Sequence, residues 1–427
     1  MCADTSAVRA GTRLSILIAH AYSHKNKGDR CIVESLVRML RRNFPDARLV
    51  VSSVDPEDVG MYGEDVWVPG LHLAALRGRS RFASYRAGLG SFVGARLATW
   101  FAPTAHPFVA ACRDADLVLG CGGGYLYAKS PVNLLLCLET FRIPLALGKP
   151  VGLCAQSIGP FKPRHWQTRA TRRLLEHPRL LGIHVRENVS YELLQSWNLE
   201  AKTTLVPDLA LAFAPPAEPT ERRAQAQRAI GFTVRNWFRD AERQRQYEQT
   251  FAQILAAVGG AYQRLAGFLQ VTGSEFSDSD EPATQRVIAA LPPDLRSRAG
   301  IVSPRDPQSM LAVLREMDVF VGTRMHSNIL ALLAGVPTVA IGYQYKTAGI
   351  MQMLGLDSYV FDITDLSPTP VIAAVERAAS AGKEYFAEAG PAIKQHAQAT
   401  ESSVCTLVRT LAAAAGRTAR SDEEGTR

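Results

Sequence analysis

The sequence predicts an α/β protein with two Rossmann-like domains that face each other across a cleft. Short apolar runs alternate with segments whose apolar residues recur at helical spacing, which is the pattern of parallel, doubly wound sheets. A proline-rich stretch at 214–220 separates two such series and is typical of a linker. The chain has 427 residues, enough for two or three domains.

The elements follow from short apolar runs that are bounded by glycine or polar residues. In the first series the predicted strands are 15–19, 116–120, 150–154 and 181–185. In the second series they are 230–234, 267–272, 319–322, 336–341 and 359–361. The predicted organisation is an N-terminal domain at 13–215, a C-terminal domain at 228–365, C-terminal helices at 366–415 and a disordered tail at 416–427.

Charge and composition restrict the class of partner. The formal net charge is +8, which favours an anionic partner, and no nucleic-acid-binding motif is recognisable. The seven cysteines form no CxxC pair, so neither a disulfide framework nor a zinc site is predicted. Without an evident signal peptide or membrane span, the sequence predicts a cytoplasmic protein.

Ligands of open α/β sheets bind beyond the carboxyl ends of the strands, and several unusual segments fall there. The first is Asn26-Lys-Gly-Asp29, after the first strand. Gly28 permits close backbone approach, and Asp29 can orient or deprotonate a hydroxyl group. Equally, Asp29 can simply cap the following helix.

Two further segments follow strands of the first series. Gly122, Gly123 and Gly124 lie in a glycine-dense turn predicted to lead from a strand into a helix, where backbone amides bind anions. The turn lacks the dinucleotide and P-loop spacings, and a purely structural turn is the alternative. Gln156 and Ser157 follow the next predicted strand, at 150–154.

Basic residues end strands in both series. Arg186 follows the strand at 181–185 and can bind an anion, or pair with Glu187 or Glu192. In the second series, basic side chains end three strands and His326 provides a proton carrier; the basic residues are Arg235, Arg324 and Lys346. This arrangement predicts a strongly anionic small substrate.

These residues, in this order, resemble the polysaccharide pyruvyl transferase family. The resemblance extends over about 14–363 and rests on the following pieces: Asn26-Lys-Gly-Asp29, Gly122-Gly-Gly124, Gln156-Ser-Ile-Gly-Pro-Phe161, Val185-Arg186 with Ser190, Pro207-Asp-Leu209, Arg324 with His326, and Gly335-Val-Pro337 leading to Tyr343 and Lys346. The family implies a glycosyltransferase-B-like architecture and transfer of the enolpyruvyl unit of phosphoenolpyruvate to a sugar hydroxyl, often closed to a ketal.

The resemblance also implies roles for individual residues. His326 is the expected acid/base, Arg186 and Arg324 the anion clamps, and Lys346 the stabiliser of the phosphate. Asp29 is the candidate that activates the acceptor, a glycan or its lipid-linked precursor. Neither a metal nor any other cofactor is expected beyond the phosphoenolpyruvate donor.

One segment, 69–106, does not match the family well. Its arginines alternate with aromatic and apolar residues, a composition suited to an anionic membrane face. An amphipathic helical hairpin on the protein surface is the alternative, and the one we favour from the sequence. Two other functions stay open: a nucleotide-sugar glycosyltransferase of the same architecture, and a non-catalytic carbohydrate-binding relative.

Overall fold

The computed structural model describes residues 13–71, 81–128, 130–218, 224, 227–272 and 279–416. The chain divides into two compact units. Of the described residues, the first unit contains 13–24, 32–209 and 399–416, and the second contains 25–31 and 210–398. Residues 72–80, which belong to the unmatched segment, and 417–427 of the predicted tail lie outside the described residues.

A parallel sheet of eight strands forms the centre of the first unit. The strand order is β3-β2-β1-β4-β6-β7-β8, with β5 paired to β6. The strands are β1 (Ser15–Ala21), β2 (Arg48–Ser53), β3 (Val66–Pro69), β4 (Leu117–Gly120), β5 (Gly123–Leu126), β6 (Val151–Ile158), β7 (Leu180–Val185) and β8 (Thr203–Leu205). All seven residues of β1 are buried, as expected for a strand with helices on both faces of its sheet.

The helices of this part of the chain follow the strands. They are α1 (Lys27–Asn43), α2 (Arg81–Phe101), α3 (Pro107–Asp114), α4 (Pro131–Ala146), α5 (Trp166–Leu175) and α6 (Asn188–Gln195). Helix α1 begins in the second unit and continues into the first from Ile32. It buries Ile32, Leu36 and Leu40, whose spacing places them on one helix face.

The second unit contains a parallel six-stranded sheet in the order β11-β10-β9-β12-β13-β14. Its strands are β9 (Ala229–Thr233), β10 (Arg264–Phe268), β11 (Ala299–Val302), β12 (Val319–Gly322), β13 (Thr338–Gly342) and β14 (Val360–Asp362). This is the doubly wound order in which the chain reverses direction across the sheet between β9 and β12. The predicted α/β class with two Rossmann-like sheets is confirmed.

The remaining helices belong to the second half of the chain. They are α7 (Ala241–Gly259), α8 (Glu281–Ala290), α9 (Pro293–Arg296), α10 (Pro307–Leu314), α11 (Met325–Leu333), α12 (Tyr345–Met353), α13 (Pro368–Ala381) and α14 (Phe386–Ala414). In the described part of the chain, no helix is both long and apolar enough to cross a lipid bilayer.

Candidate active site

The chain reversal in the second sheet brings two loops together. Strands β9 and β12 are adjacent, with Thr233 opposite Gly322. The Thr323 N–H donates to Thr233 Oγ1 at 3.0 Å, and the Thr323 hydroxyl donates to the Thr233 carbonyl at 3.0 Å. These bonds hold the start of both loops, so the residues that follow, Arg235 and Arg324, are anchored at the point where such sheets bind ligands.

Arg324 is held by a buried carboxylate. Its Nε and Nη2 donate to Asp280 Oδ1 at 2.8 and 2.5 Å, and both side chains are almost fully buried. The other oxygen, Oδ2, accepts the N–H groups of Gln270 and Val271 at 2.9 Å. Burial raises the pKa of Asp280, while the Arg324 charge and the Val271 N–H oppose that rise. Asp280 therefore fixes the guanidinium of Arg324 against the end of β10.

The beginning of α1 packs against the same strand end. Asn26 forms a β-bridge with Val271, and the Lys27 N–H donates to the Gln270 carbonyl at 3.0 Å. The Lys27 ammonium is buried and donates to Thr272 Oγ1 at 2.9 Å. Burial lowers the pKa of Lys27 to about 8, and the nearby Asp280 charge opposes this effect. Lys27 is thus a buried lysine that is still mostly protonated at pH 7.

His326 lies directly on the first turn of α1. A Cβ built at Gly28 would lie 2.7 Å from His326 Cγ and would overlap the imidazole ring. A glycine at position 28 therefore allows the ring to reach the backbone of the helix. The predicted proton carrier and the predicted Asn26–Asp29 segment are brought together by this contact.

Asn26 organises the turn that contains Asp29. Asn26 Oδ1 accepts the Gly28 N–H at 3.0 Å, and its amide nitrogen donates to Asp29 Oδ2 at 2.6 Å. The capping role that the sequence allowed for Asp29 belongs to Asn26. Asp29 lies in the first helical turn of α1, where a carboxylate is favoured by the helix dipole.

Aromatic rings flank Arg235. Its guanidinium carbon lies 4.1 Å from the centroid of the Tyr343 ring and 5.2 Å from that of Trp237. The residue is only 8% exposed. Lys346 is half-buried in the first turn of α12, with Nζ 6.0 Å from the centroid of the Tyr345 ring.

Three buried cations of this site interact with the same buried carboxylate. The carboxylate of Asp280 interacts with Lys27, Arg235 and Arg324. None of these three cations is more than 8% exposed. Buried arginine and lysine side chains at a strand end are the groups that bind a carboxylate or a phosphate by charge-assisted hydrogen bonds. We refer to Lys27, Arg235, Asp280, Arg324 and His326 as the anion cluster.

Arg186 lies in the first unit and has a different partner from those considered in the sequence. Its Nη1 donates to Asp208 Oδ2 at 2.5 Å and its Nε to Ser157 Oγ at 2.9 Å. The proposed partner Glu187 instead caps α6 by accepting the Ser190 N–H at 2.8 Å. Arg186, Ser157 and Asp208 therefore form one buried group at the carboxyl ends of β6, β7 and β8.

Gln156 and the glycine-dense segment are also placed in the first unit. Gln156 Nε2 donates to the Tyr125 hydroxyl at 2.8 Å and to the Cys121 carbonyl. The expected turn into a helix at Gly122–Gly124 is wrong, because Gly123–Leu126 forms β5 and the next helix begins at Pro131. Gly123 has φ of +146°, a conformation that favours glycine.

One group of described residues could hold a metal ion. The potential ligand atoms of His24, Asp55 and Asp58 all lie within 4.8 Å of one another. His24 Nδ1 is 2.6 Å from Asp58 Oδ1, and Ser23 Oγ donates to Asp55 Oδ2 at 2.6 Å. Hydrogen bonds within the protein thus engage both carboxylates.

The sequence did not identify three residues that the structure places at these centres: Lys27, Asp208 and Asp280. Lys27 carried a detectable signal, since a lysine in the first turn of a helix opposes the helix dipole. Asp208 lies in the segment Pro207-Asp-Leu209, which indicates the family but suggests no chemical role for the carboxylate. Asp280 precedes α8 like any N-terminal acidic residue, so its pairing with Arg324 depends on the tertiary structure.

Comparison with known proteins shows which family the chain belongs to. A model of the family described as polysaccharide pyruvyl transferase matches residues 26–345. The chain belongs to this family, and hence to the transferases of polysaccharide biosynthesis. It is 21% identical over 408 residues to the amylovoran biosynthesis protein AmsJ of Erwinia amylovora, a match covering 90% of this chain and 96% of AmsJ.

Solved structures share the two-sheet fold. The glycotransferase of kitacinnamycin is 16% identical with a TM-score of 0.53, covering 93% of this chain and 99% of that one. The UDP-GlcNAc 2-epimerase of Neisseria meningitidis is 10% identical with a TM-score of 0.57, covering 93% and 100%. The predicted glycosyltransferase-B-like fold is confirmed by these similarities.

Proposed function

We propose that the protein transfers the pyruvyl unit of phosphoenolpyruvate to a sugar hydroxyl of a polysaccharide or its lipid-linked precursor. The observation that carries this proposal is the anion cluster, with three buried cations around Asp280 at the chain reversal of the second sheet. Phosphoenolpyruvate carries a carboxylate and a phosphate, and charge-assisted hydrogen bonds to arginine and lysine suit both groups.

Each member of the cluster has a distinct proposed role. Arg324, oriented by Asp280, and Arg235, supported by Tyr343 and Trp237, bind the anionic groups of the donor. Lys27 adds charge from α1, and Lys346 stabilises the phosphate as it leaves. Since Lys27 lies beside Asp280 in a buried environment, binding of an anion raises its pKa and holds it protonated.

His326 is the proposed general acid. The π electrons of the donor double bond take its proton at C3, and the acceptor oxygen forms a bond to C2 as the hydroxyl proton passes to a base. Attack on C2 by a second sugar hydroxyl then breaks the bond between C2 and the phosphate oxygen, so that inorganic phosphate leaves, the hydroxyl proton passes to a base and the ketal closes. Asp29, in the turn against which His326 packs, is the proposed base or orienting group for the acceptor.

The first test measures ligand binding by thermal unfolding, because a ligand that binds the folded state raises the midpoint temperature of unfolding. We expect phosphoenolpyruvate to raise it and uridine diphosphate to leave it unchanged. Arg235→Gln should abolish the shift. Arg239→Gln, at an exposed arginine of the following loop, is the matched control and should retain it. A shift with the nucleotide alone would replace this proposal by a nucleotide-sugar glycosyltransferase.

Transfer itself is tested by phosphate release in the presence of glycan acceptors. We expect His326→Gln to retain the thermal shift with phosphoenolpyruvate and to lower the rate of phosphate release by about a hundredfold or more, the usual contribution of a positioned acid. Binding without any release above the His326→Gln level would favour a non-catalytic carbohydrate-binding relative. We place the reaction in the cytoplasm, where phosphoenolpyruvate is made.

A further inference from the structure

Most of the large apolar residues of helix α2 whose side chains are described lie on its exposed side, while Phe92 is partly buried and packs against the core. The residues it buries are small: Gly88, Ala95, Ala98 and Thr99. The exposed side is large and apolar, with Tyr85, Leu89, Val93, Leu97, Trp100 and Phe101 between 43% and 82% exposed. A surface helix of a globular protein normally has the opposite arrangement.

The exposed residues form one continuous stripe, which we call the α2 stripe. Four of them follow one another at intervals of four residues, and Trp100 with Phe101 continues the row. Residues four apart lie on one helix face, so the stripe extends about 24 Å along the helix. The small buried face lets α2 pack closely on α4. The orientation of the helix is thus fixed by packing, with its apolar side turned towards solvent.

The charged residues of α2 are all arginines, and its sequence contains no acidic residue. Arg86 and Arg96 are the exposed arginines of α2 with described side chains. Arg96 reaches back to the buried Glu139 at 3.2 Å, yet its side chain remains 49% exposed. The exposed side of α2 thus combines large apolar side chains with the arginines Arg86 and Arg96.

We propose that the first unit docks on an anionic phospholipid bilayer through the α2 stripe. Tryptophan, tyrosine and phenylalanine are favoured at the boundary between headgroups and acyl chains. Arginines beside them keep their charge at the level of lipid phosphates while their stems stay in apolar contact. A second copy of this chain fits less well, because two such faces would bring arginines against arginines.

The proposal is tested by co-sedimentation of the full chain with vesicles of phosphatidylcholine, with and without phosphatidylglycerol. We expect binding to the anionic vesicles that weakens with added salt. In the variant Leu97→Ser/Trp100→Ser/Phe101→Ser the affinity should fall by more than about tenfold. Its thermal midpoint should stay unchanged, because the replaced side chains are exposed. Val59→Ser removes a residue that is 60% exposed outside the stripe and should bind normally.

A spectroscopic measurement identifies the part of the protein that enters the bilayer. Anionic vesicles should shift the tryptophan emission to the blue, and Trp100→Phe should remove that shift although four other tryptophans remain. Absence of vesicle binding by the wild-type chain overturns the proposal. A second result would also overturn it: the wild type is a dimer, the triple variant is a monomer, and neither binds vesicles. That result would assign the stripe to self-association.

Discussion

The contact between Gly28 and His326 makes position 28 unusually sensitive to a single methyl group. In Gly28→Ala the added Cβ would overlap the imidazole ring, so His326 must move. Alanine is otherwise the better helix former by about 1 kcal/mol. We therefore expect a large loss of phosphate release, about a hundredfold, with little loss of stability. The two measurements are steady-state kinetics and urea unfolding.

A matched control is available for this substitution. Gly260 has φ of −57° and no atom within 4 Å of the position its Cβ would take. Gly260→Ala should therefore leave kcat unchanged. Wild-type activity in Gly28→Ala would show that the position of His326 is irrelevant to the reaction.

The buried charge of Lys27 should lower the stability of the folded protein and strengthen the binding of an anionic ligand. Its folded pKa of about 8 lies below its ordinary value of 10.5, so between these two values the unfolded chain binds more protons and stability rises with pH. Lys27→Met removes the cost of the buried charge and should stabilise the protein at pH 7 by at most about 3 kcal/mol. The same variant should bind phosphoenolpyruvate more weakly.

The measurement for Lys27 is urea unfolding of the wild type and Lys27→Met across this pH range. The stability difference between them should shrink as pH rises from about 8 towards 10.5, because the wild-type lysine becomes neutral in the folded state. A difference that does not vary with pH would mean that Lys27 does not titrate in this way. Arg30, whose charge also lowers the Lys27 pKa, and Asp280, which raises it, stay unchanged in both proteins.

Variants of the pair Arg186–Asp208 can show whether Arg186 binds the donor or only forms a structural ion pair. Removing either partner alone leaves a buried charge and should cost about 3–5 kcal/mol of stability. The double variant Arg186→Met/Asp208→Leu should recover most of that loss. If Arg186 binds the donor, the double variant folds without responding to phosphoenolpyruvate in thermal unfolding. A normal response would assign Arg186 to the structure alone.

At the scale of single elements, the last helix depends on glycines in two strands. A Cβ at Gly152 of β6 would lie 2.9 Å from the methyl groups of Leu407 on α14, and a Cβ at Gly182 of β7 would also overlap Leu407. Leu407 is 4% exposed, and the residues from 399 onwards group with the first unit. The C-terminal part of α14 thus covers the first sheet where its side chains are smallest.

Leu407→Ala should therefore destabilise the protein by about 2–5 kcal/mol, the range for a buried leucine whose neighbours cannot fill the space. Arg409→Ala, two residues away on the exposed side of the same helix, should change stability by less than about 0.5 kcal/mol. Urea unfolding gives both values. Equal effects of the two substitutions would rule out close packing of α14 on the sheet.

The elements that the sequence predicted well are buried strands with a continuous apolar pattern. Strand β12 was predicted with its correct bounds, and the predicted strands at 230–234 and 336–341 overlap β9 and β13. The strand at 267–272 was placed too late, because β10 (Arg264–Phe268) starts with an exposed arginine and the buried residues beyond it form the loop to Asp280. Strand β5 was missed because glycine has low strand propensity.

In the candidate site, too, local sequence patterns predict the positions of some residues, whereas the contacts between them depend on the tertiary structure. Position at a strand end is a local property, so the sequence predicted that Arg235, Arg324 and His326 follow strands of the second series, and they do. Their partners are separated from them by long stretches of chain: Asp280 is 44 residues from Arg324, and Lys27 is 245 residues from Thr272. No periodicity or motif spacing encodes such contacts, which is why the burial of Lys27 beside Thr272 and Asp280 could not be predicted from the sequence.

At the scale of the whole molecule, the two sheets share a topology but differ in the charged residues beyond their strand ends. The second sheet has the anion cluster beside its chain reversal between β9 and β12. In the first sheet, Arg186 follows β7, away from the reversal between β1 and β4, and is paired with Asp208. A doubly wound sheet offers a ligand site at its reversal, and under the proposed function the buried cations of the second sheet make it the donor side. We infer that phosphoenolpyruvate is bound by the second unit.

Hydrogen exchange over the full chain tests this inference. Phosphoenolpyruvate should slow exchange in the segments that form the anion cluster, at 26–30, 235–237, 270–272 and 323–327, because a bound anion stabilises the loops that hold it. Arg235→Gln should remove the protection everywhere, since the anion would no longer bind. Protection that also appears at 156–157 and 186 would support Arg186 as a second clamp. Protection there without any in the second unit would overturn the assignment of the donor to the anion cluster.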